Sequence, residues 1–68
     1  MNVVKITTEY ITLGQFLKFT AIIYSGAMAK DFLSENEVLV NGEIEQRRGR
    51  KLYPGYIVEI NKRKYEVQ

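Results

Sequence analysis

The sequence predicts a small α+β domain: a short strand, two helices, then strands joined by two hairpins. Three observations carry that reading. Thr12-Leu13-Gly14-Gln15 has the hydroxyl and amide spacing of a helix start, and apolar residues follow at helical intervals. Asn41-Gly42 stands between two apolar runs, the strongest short hairpin signal. Tyr53-Pro54-Gly55-Tyr56 puts proline and glycine at the centre of a type II turn.

The elements follow in order. Val3 to Thr7 predicts the first strand. Thr12 caps the first helix, with Gln15 closing the capping box and Ile11 and Phe16 at the staple positions. Leu13, Phe16, Leu17 and Thr20 form its inward stripe. Gly14 is unfavourable in a helix, by about 1 kcal/mol in the interior and less near the start. Ser25 is the expected N-cap of the second helix, Ala29, Phe32 and Leu33 its inward stripe, and Asn36 its left-handed terminator. No acid occupies the first turn after Ser25. Small Gly26 and Ala27 there fit two readings: another element packs on them, or the backbone N–H groups stay open to an external phosphate. Val38-Leu39-Val40 is a strand that turns at Asn41-Gly42 and returns through Glu43-Ile44-Glu45. Gln46 to Lys51, QRRGRK, is expected to be an irregular basic loop. Ile57 to Ile60 is a strand, Asn61 to Arg63 a turn, and Lys64 to Val67 the last strand.

Composition narrows the function. The 68 residues suit one domain, residues 1–68, and 46% apolar content is ordinary for a globular chain with a modest core. There is no cysteine and no histidine. Disulfides, thiolate metal sites, a histidine base and a cysteine nucleophile are therefore excluded, Ser25 and Ser34 read as helix-cap and helix-surface residues, and the expectation is a non-enzyme with no metal and no cofactor. The Glu35/Glu37 pair reads as solvated charge at a helix-to-strand junction. No Gly-Lys-Ser/Thr ending makes Gly49-Arg50-Lys51-Leu52 a phosphate loop. The Gly-Gly tail of a small sulfur carrier is absent at Glu66-Val67-Gln68. The longest apolar run, Ala21 to Tyr24, is far too short for a membrane span, and MNVVKITTEY lacks a signal-peptide core, so the expected location is the cytoplasm.

The net charge of +2 conceals an asymmetry. Residues 46–68 hold seven basic residues against Glu59 and Glu66, while acids outnumber bases before them. Arg47, Arg48, Arg50 and Lys51 stand together in that basic part. Such a cluster suits a polyanionic partner, the plainer reading being a solvated loop.

Ser25…Ala29-Lys30…Phe32-Leu33…Val38-Leu39-Val40-Asn41-Gly42 resembles the core of the RNA-binding domain named after the S-four ribosomal protein, also called the alpha-L RNA-binding motif. Leu13, Phe16 and Leu17 fit that family's first helix, and Pro54-Gly55 its late turn. The similarity spans roughly residues 11–60. Val-x-Val-Asn-Gly alone is a weak signal; its spacing from the helix and from Pro-Gly makes the combination fairly specific. Ile11 to Lys18 and Arg47 to Leu52 resemble in particular a branch of small free-standing members in Gram-positive bacteria, to which ribosome maturation is attributed. The family's helix-start arginine falls on Gly26 and its second helix arginine on Lys30, which keeps the charge but loses the bidentate fork. Asn36 replaces a glycine and Tyr56 an aspartate.

The resemblance implies two N-terminal helices packed on a small antiparallel sheet of hairpins. It also implies a monomer that binds structured RNA, ribosomal RNA or a ribosomal subunit, with no membrane and no small-molecule substrate. The expected RNA-contacting residues are Lys18, Ser25, Lys30, Asn41, Arg47, Arg48, Arg50 and Lys51, the basic loop replacing contacts the helix face has given up. Reversing Arg47, Arg48 and Arg50 to Glu is expected to abolish binding and spare the fold. Tyr53 and Tyr56 fit turn or core packing better than base stacking. Lys62-Arg63-Lys64 reads as a solvated hairpin. Two other readings stand beside this one: a protein-interaction module for an acidic partner, and a nonspecific DNA binder, since phosphate contacts carry no sequence information.

Overall fold

Thr12 and Gln15 form the capping box that their spacing predicts. In the computed structural model, which describes residues 1–68, Gln15 N donates to Thr12 Oγ1 at 3.3 Å and Thr12 N donates to Gln15 Oε1 at 3.0 Å. Helix α1 then runs Leu13–Phe19. It ends on a Schellman motif: Ile22 N donates to Leu17 O and Ala21 N to Lys18 O, with Ala21 left-handed at φ 61°.

The second helix starts later than its cap predicts. Gly26–Met28 is a 3-10 turn and α2 runs Ala29–Glu35. Ser25 is extended, as a cap should be, but its side chain makes no capping bond. Its carbonyl takes the Met28 N–H instead of its hydroxyl. Asn36 ends α2 by another route than the predicted one. Its backbone is extended, and its N–H and Nδ2 both donate to Phe32 O. The side chain does what a left-handed turn would have done.

The strands are β1 Asn2–Val4, β2 Ile11–Thr12, β3 Val38–Val40, β4 Glu43–Ile44, β5 Lys51–Leu52, β6 Ile57–Ile60 and β7 Arg63–Val67. Five of them form one sheet in the order β1-β7-β6-β3-β4; β2 and β5 pair separately. Both predicted hairpins form. Asn41 and Gly42 have φ 51° and 87°, and Asn61 and Lys62 have φ 48° and 75°, so both turns are left-handed as tight hairpins require. Gly55 has φ 97°, and Tyr56 N donates to Tyr53 O across the Pro-Gly turn.

The sheet is mixed, not antiparallel. β1 lies parallel to β7, Asn2 facing Tyr65 and Val4 facing Val67. Hairpin signals report only neighbours in sequence, and this pair joins opposite ends of the chain. The first strand also stops at Val4, short of the predicted Thr7.

Fourteen apolar residues make one buried cluster. Leu13, Phe16 and Leu17 of α1 are fully enclosed, as are Ala29 and Leu33 of α2. Alternate residues of β3, β6 and β7 enter it: Val38 and Val40, Val58 and Ile60, Tyr65 and Val67. Phe16 meets Tyr65 edge-on, ring centroids 5.6 Å apart. Each enclosed large side chain favours the folded state by about 1.5–3 kcal/mol. No helix is long and apolar enough to cross a membrane.

Candidate functional site

The basic loop is tied to the start of α1 through its backbone. Leu13 N donates to Arg50 O and Gly14 N to Arg48 O, both at 2.8 Å. Two of the N–H groups that a helix start leaves unpaired are thus taken by loop carbonyls, and the Thr12 hydroxyl takes the next. The approach is close. A Cβ on Gly14 would lie 3.3 Å from Arg48 O and 3.4 Å from Arg48 Cβ. The glycine that looked unfavourable for the helix is what lets the loop reach it.

Glu45 holds the loop from the other side. It is only 6% exposed. Its Oε2 accepts from Arg47 N and Arg47 Nε, and its Oε1 from Arg47 Nη2 and Arg50 Nη1, at 2.9–3.0 Å. The Arg47 hydrogen bonds come first in lowering its pKa to about 2 from 4.5; burial opposes them, and Arg50 assists. The guanidinium pKa values of Arg47 and Arg50 rise in return, mainly through the same hydrogen bonds.

The cations therefore divide. Arg47 keeps its side chain largely in solvent while paired, and Arg50 is mostly covered, 5.9 Å from the Tyr56 ring centroid. Reversing both to Glu would take both partners from a buried carboxylate, so the triple reversal should cost stability as well as binding. Arg48 makes no ion pair or side-chain hydrogen bond within the protein. It lines a cleft with Lys18, Gln15, Gly26 and Gly49. A Cβ on Gly26 would meet nothing within 4 Å, so the space beside its α-carbon is open. Arg48 and Lys18, from different elements, are thus brought to one opening whose walls are small residues.

The other expected site residues are dispersed. Lys51 belongs to β5, not the loop, and its Nζ sits 4.9 Å from the Tyr10 ring centroid. Lys30 is exposed on α2, and Ser25 is exposed before the 3-10 turn. Asn41 is occupied with structure: its N–H donates to Ile57 O and its Oδ1 accepts from Ile57 N, which ties the hairpin tip to β6. Tyr53 and Tyr56 are half-buried and touch each other, ring centroids 5.8 Å apart; Tyr10, not singled out from the sequence, lies 5.7 Å from Tyr53. Glu45 was also missed as a clamp. Its signal was an acid closing a hairpin strand just before four cations.

The family model of the S4 domain matches residues 4–68. The chain belongs to the S4 domain family. A protein of Bacillus subtilis (strain 168) named "Probable ribosome maturation protein RlbA" is 66% identical to it over 59 residues, covering 87% of this chain and 83% of that protein. In this S4 domain, then, the loop geometry described above sits on a mixed-sheet α+β frame with two short helices.

Proposed function

We propose that residues 1–68 act as one non-enzymatic RNA-binding domain. In this reading it grips structured ribosomal RNA and serves ribosome maturation in the cytoplasm, as a monomer. The observation that carries the reading is the pairing of Arg48 with Lys18 at one open cleft, on a loop whose other two arginines are held by Glu45. Free cations on a pre-set backbone suit phosphate contact, because little ordering remains to be done on binding. Family membership and the name of the Bacillus relative support RNA and the ribosome over a protein or DNA partner. RNA duplexes are read mainly by shape, phosphate and 2′-hydroxyl contacts, which a rigid two-helix face beside a loop can make. Lys30, Ser25, Lys51 and the free Nδ2 of Asn41 are assigned outer contacts.

The test is binding to ribosomal RNA and to a matched DNA duplex across a salt series. With about four to six phosphates contacted, log affinity should fall with log salt at a slope of roughly −3 to −5, and RNA should win. Equal affinity for both duplexes, or a flat slope, would sink the reading in favour of nonspecific polyanion binding or an acidic protein partner.

A further inference from the structure

We propose that the row Tyr10, Tyr53, Tyr56 is a stacking site for an unpaired RNA base next to the gripped duplex. The proposal rests on the RNA-binding reading above and extends it from paired to single-stranded RNA. Three elements build the row. Ile11 faces Leu52 where β2 pairs with β5, which sets Tyr10 beside Tyr53, and the Pro-Gly turn sets Tyr53 beside Tyr56. A cation lies over one face of each outer ring, Lys51 at 4.9 Å from the Tyr10 centroid and the Glu45-paired Arg50 at 5.9 Å from that of Tyr56, which leaves Tyr53 as the ring that takes the base.

The row differs from the rings of the core. Phe16 and Tyr65 are buried, whereas these three tyrosines are only partly buried, Tyr56 resting against the edge of the core. The hydroxyls of Tyr10 and Tyr53 have no partner within the protein and are not buried, so they reach solvent, while that of Tyr56 lies beside Arg50. Tyr53 and Tyr56 line an open cleft of about 390 Å³ together with Arg50 and Lys51. Gly49 lines both this cleft and the Arg48–Lys18 cleft. A strand leaving a duplex held at Arg48 would cross Gly49 onto the tyrosines. Aromatic platforms flanked by cations are how proteins hold unpaired nucleotides: the ring stacks on the base and the cation meets the backbone. A stacking platform reads no base identity, so the site should accept any base. An acidic peptide would use the cations but would not need the ring faces.

The experiment compares a blunt RNA hairpin with the same hairpin carrying a short single-stranded tail that contains 2-aminopurine. Wild-type protein should bind the tailed RNA about tenfold tighter, within the roughly five- to hundredfold range of one stacked base, and should change the 2-aminopurine emission. Tyr53→Leu should lose the preference and the emission change while still binding the blunt hairpin. Tyr53→Phe should keep both, and Tyr10→Leu serves as the second variant if Tyr53→Leu folds poorly. Equal binding of the two RNAs with unchanged emission from the wild-type protein overturns this proposal and leaves duplex binding standing. Failure to bind either RNA overturns both.

Discussion

Gly14 backs onto Arg48: its N–H donates to the Arg48 carbonyl at 2.8 Å, and a Cβ would sit 3.3 Å from that same oxygen. A helix start and a basic loop more than thirty positions later in the chain are thereby one unit. Alanine at position 14 should gain less than the roughly 1 kcal/mol that helix propensity offers, because the Arg48 carbonyl must yield. Gly14→Leu should overfill the junction, cost about 1–3 kcal/mol in a urea melt, and weaken RNA binding by displacing Arg48.

Glu45 makes stability depend on acid. Its folded pKa of about 2 lies below the ordinary 4.5, so it contributes stability that is fully present above about pH 4.5 and lost as pH falls toward 2. Urea midpoints measured from pH 7 to pH 2.5 should fall through that window. Glu45→Gln should be less stable at pH 7 by about 1 kcal/mol and should flatten the decline, since a neutral amide has no proton to gain.

The arginines should separate in their effects. Arg48→Glu should leave the melting temperature within the range of a neutral surface change, about 0.5 kcal/mol, yet weaken RNA binding at least tenfold. Arg48→Ala should lower the salt slope by about one. Arg50→Glu should destabilise the protein by placing a carboxylate against Glu45. A melt and a titration on each variant distinguish a loop anchor from a phosphate contact.

Ala21 is the one residue of α1's Schellman ending that its side chain opposes. It is exposed, so nothing is packed on its methyl, and its φ of 61° suits glycine. Ala21→Gly should stabilise the domain by roughly 0.5–1 kcal/mol, visible as a rise of a few degrees in Tm.

Much of the fold was legible because its signals are local. Thr12 and Gln15 lie three apart and find each other without help from the rest of the chain. Asn41-Gly42 and Pro54-Gly55 fix their turns through allowed backbone angles alone. The cap at Ser25 differs from its expectation because the 3-10 turn gives the Met28 N–H to the Ser25 carbonyl and not to its hydroxyl. Asn36 ended its helix by side chain instead of backbone, and residue type alone does not separate those two uses. In the site, the clustering of cations was visible, but their division into anchors and free charges was not.

The sequence by itself determined the inward stripes of the helices, the two hairpins, the Pro-Gly turn and the basic segment at 46–51. Each depends on residues a few positions apart, where covalent geometry and side-chain period leave few choices. Only the tertiary structure decided that β1 runs parallel to β7, that Gly14 admits the loop, that Glu45 holds Arg47 and Arg50 while Arg48 stays free, and that three tyrosines meet in a row. Those outcomes depend on which backbone donors, charges and rings are brought within a few ångströms. Packing of the shared core sets those distances, and no local pattern records them.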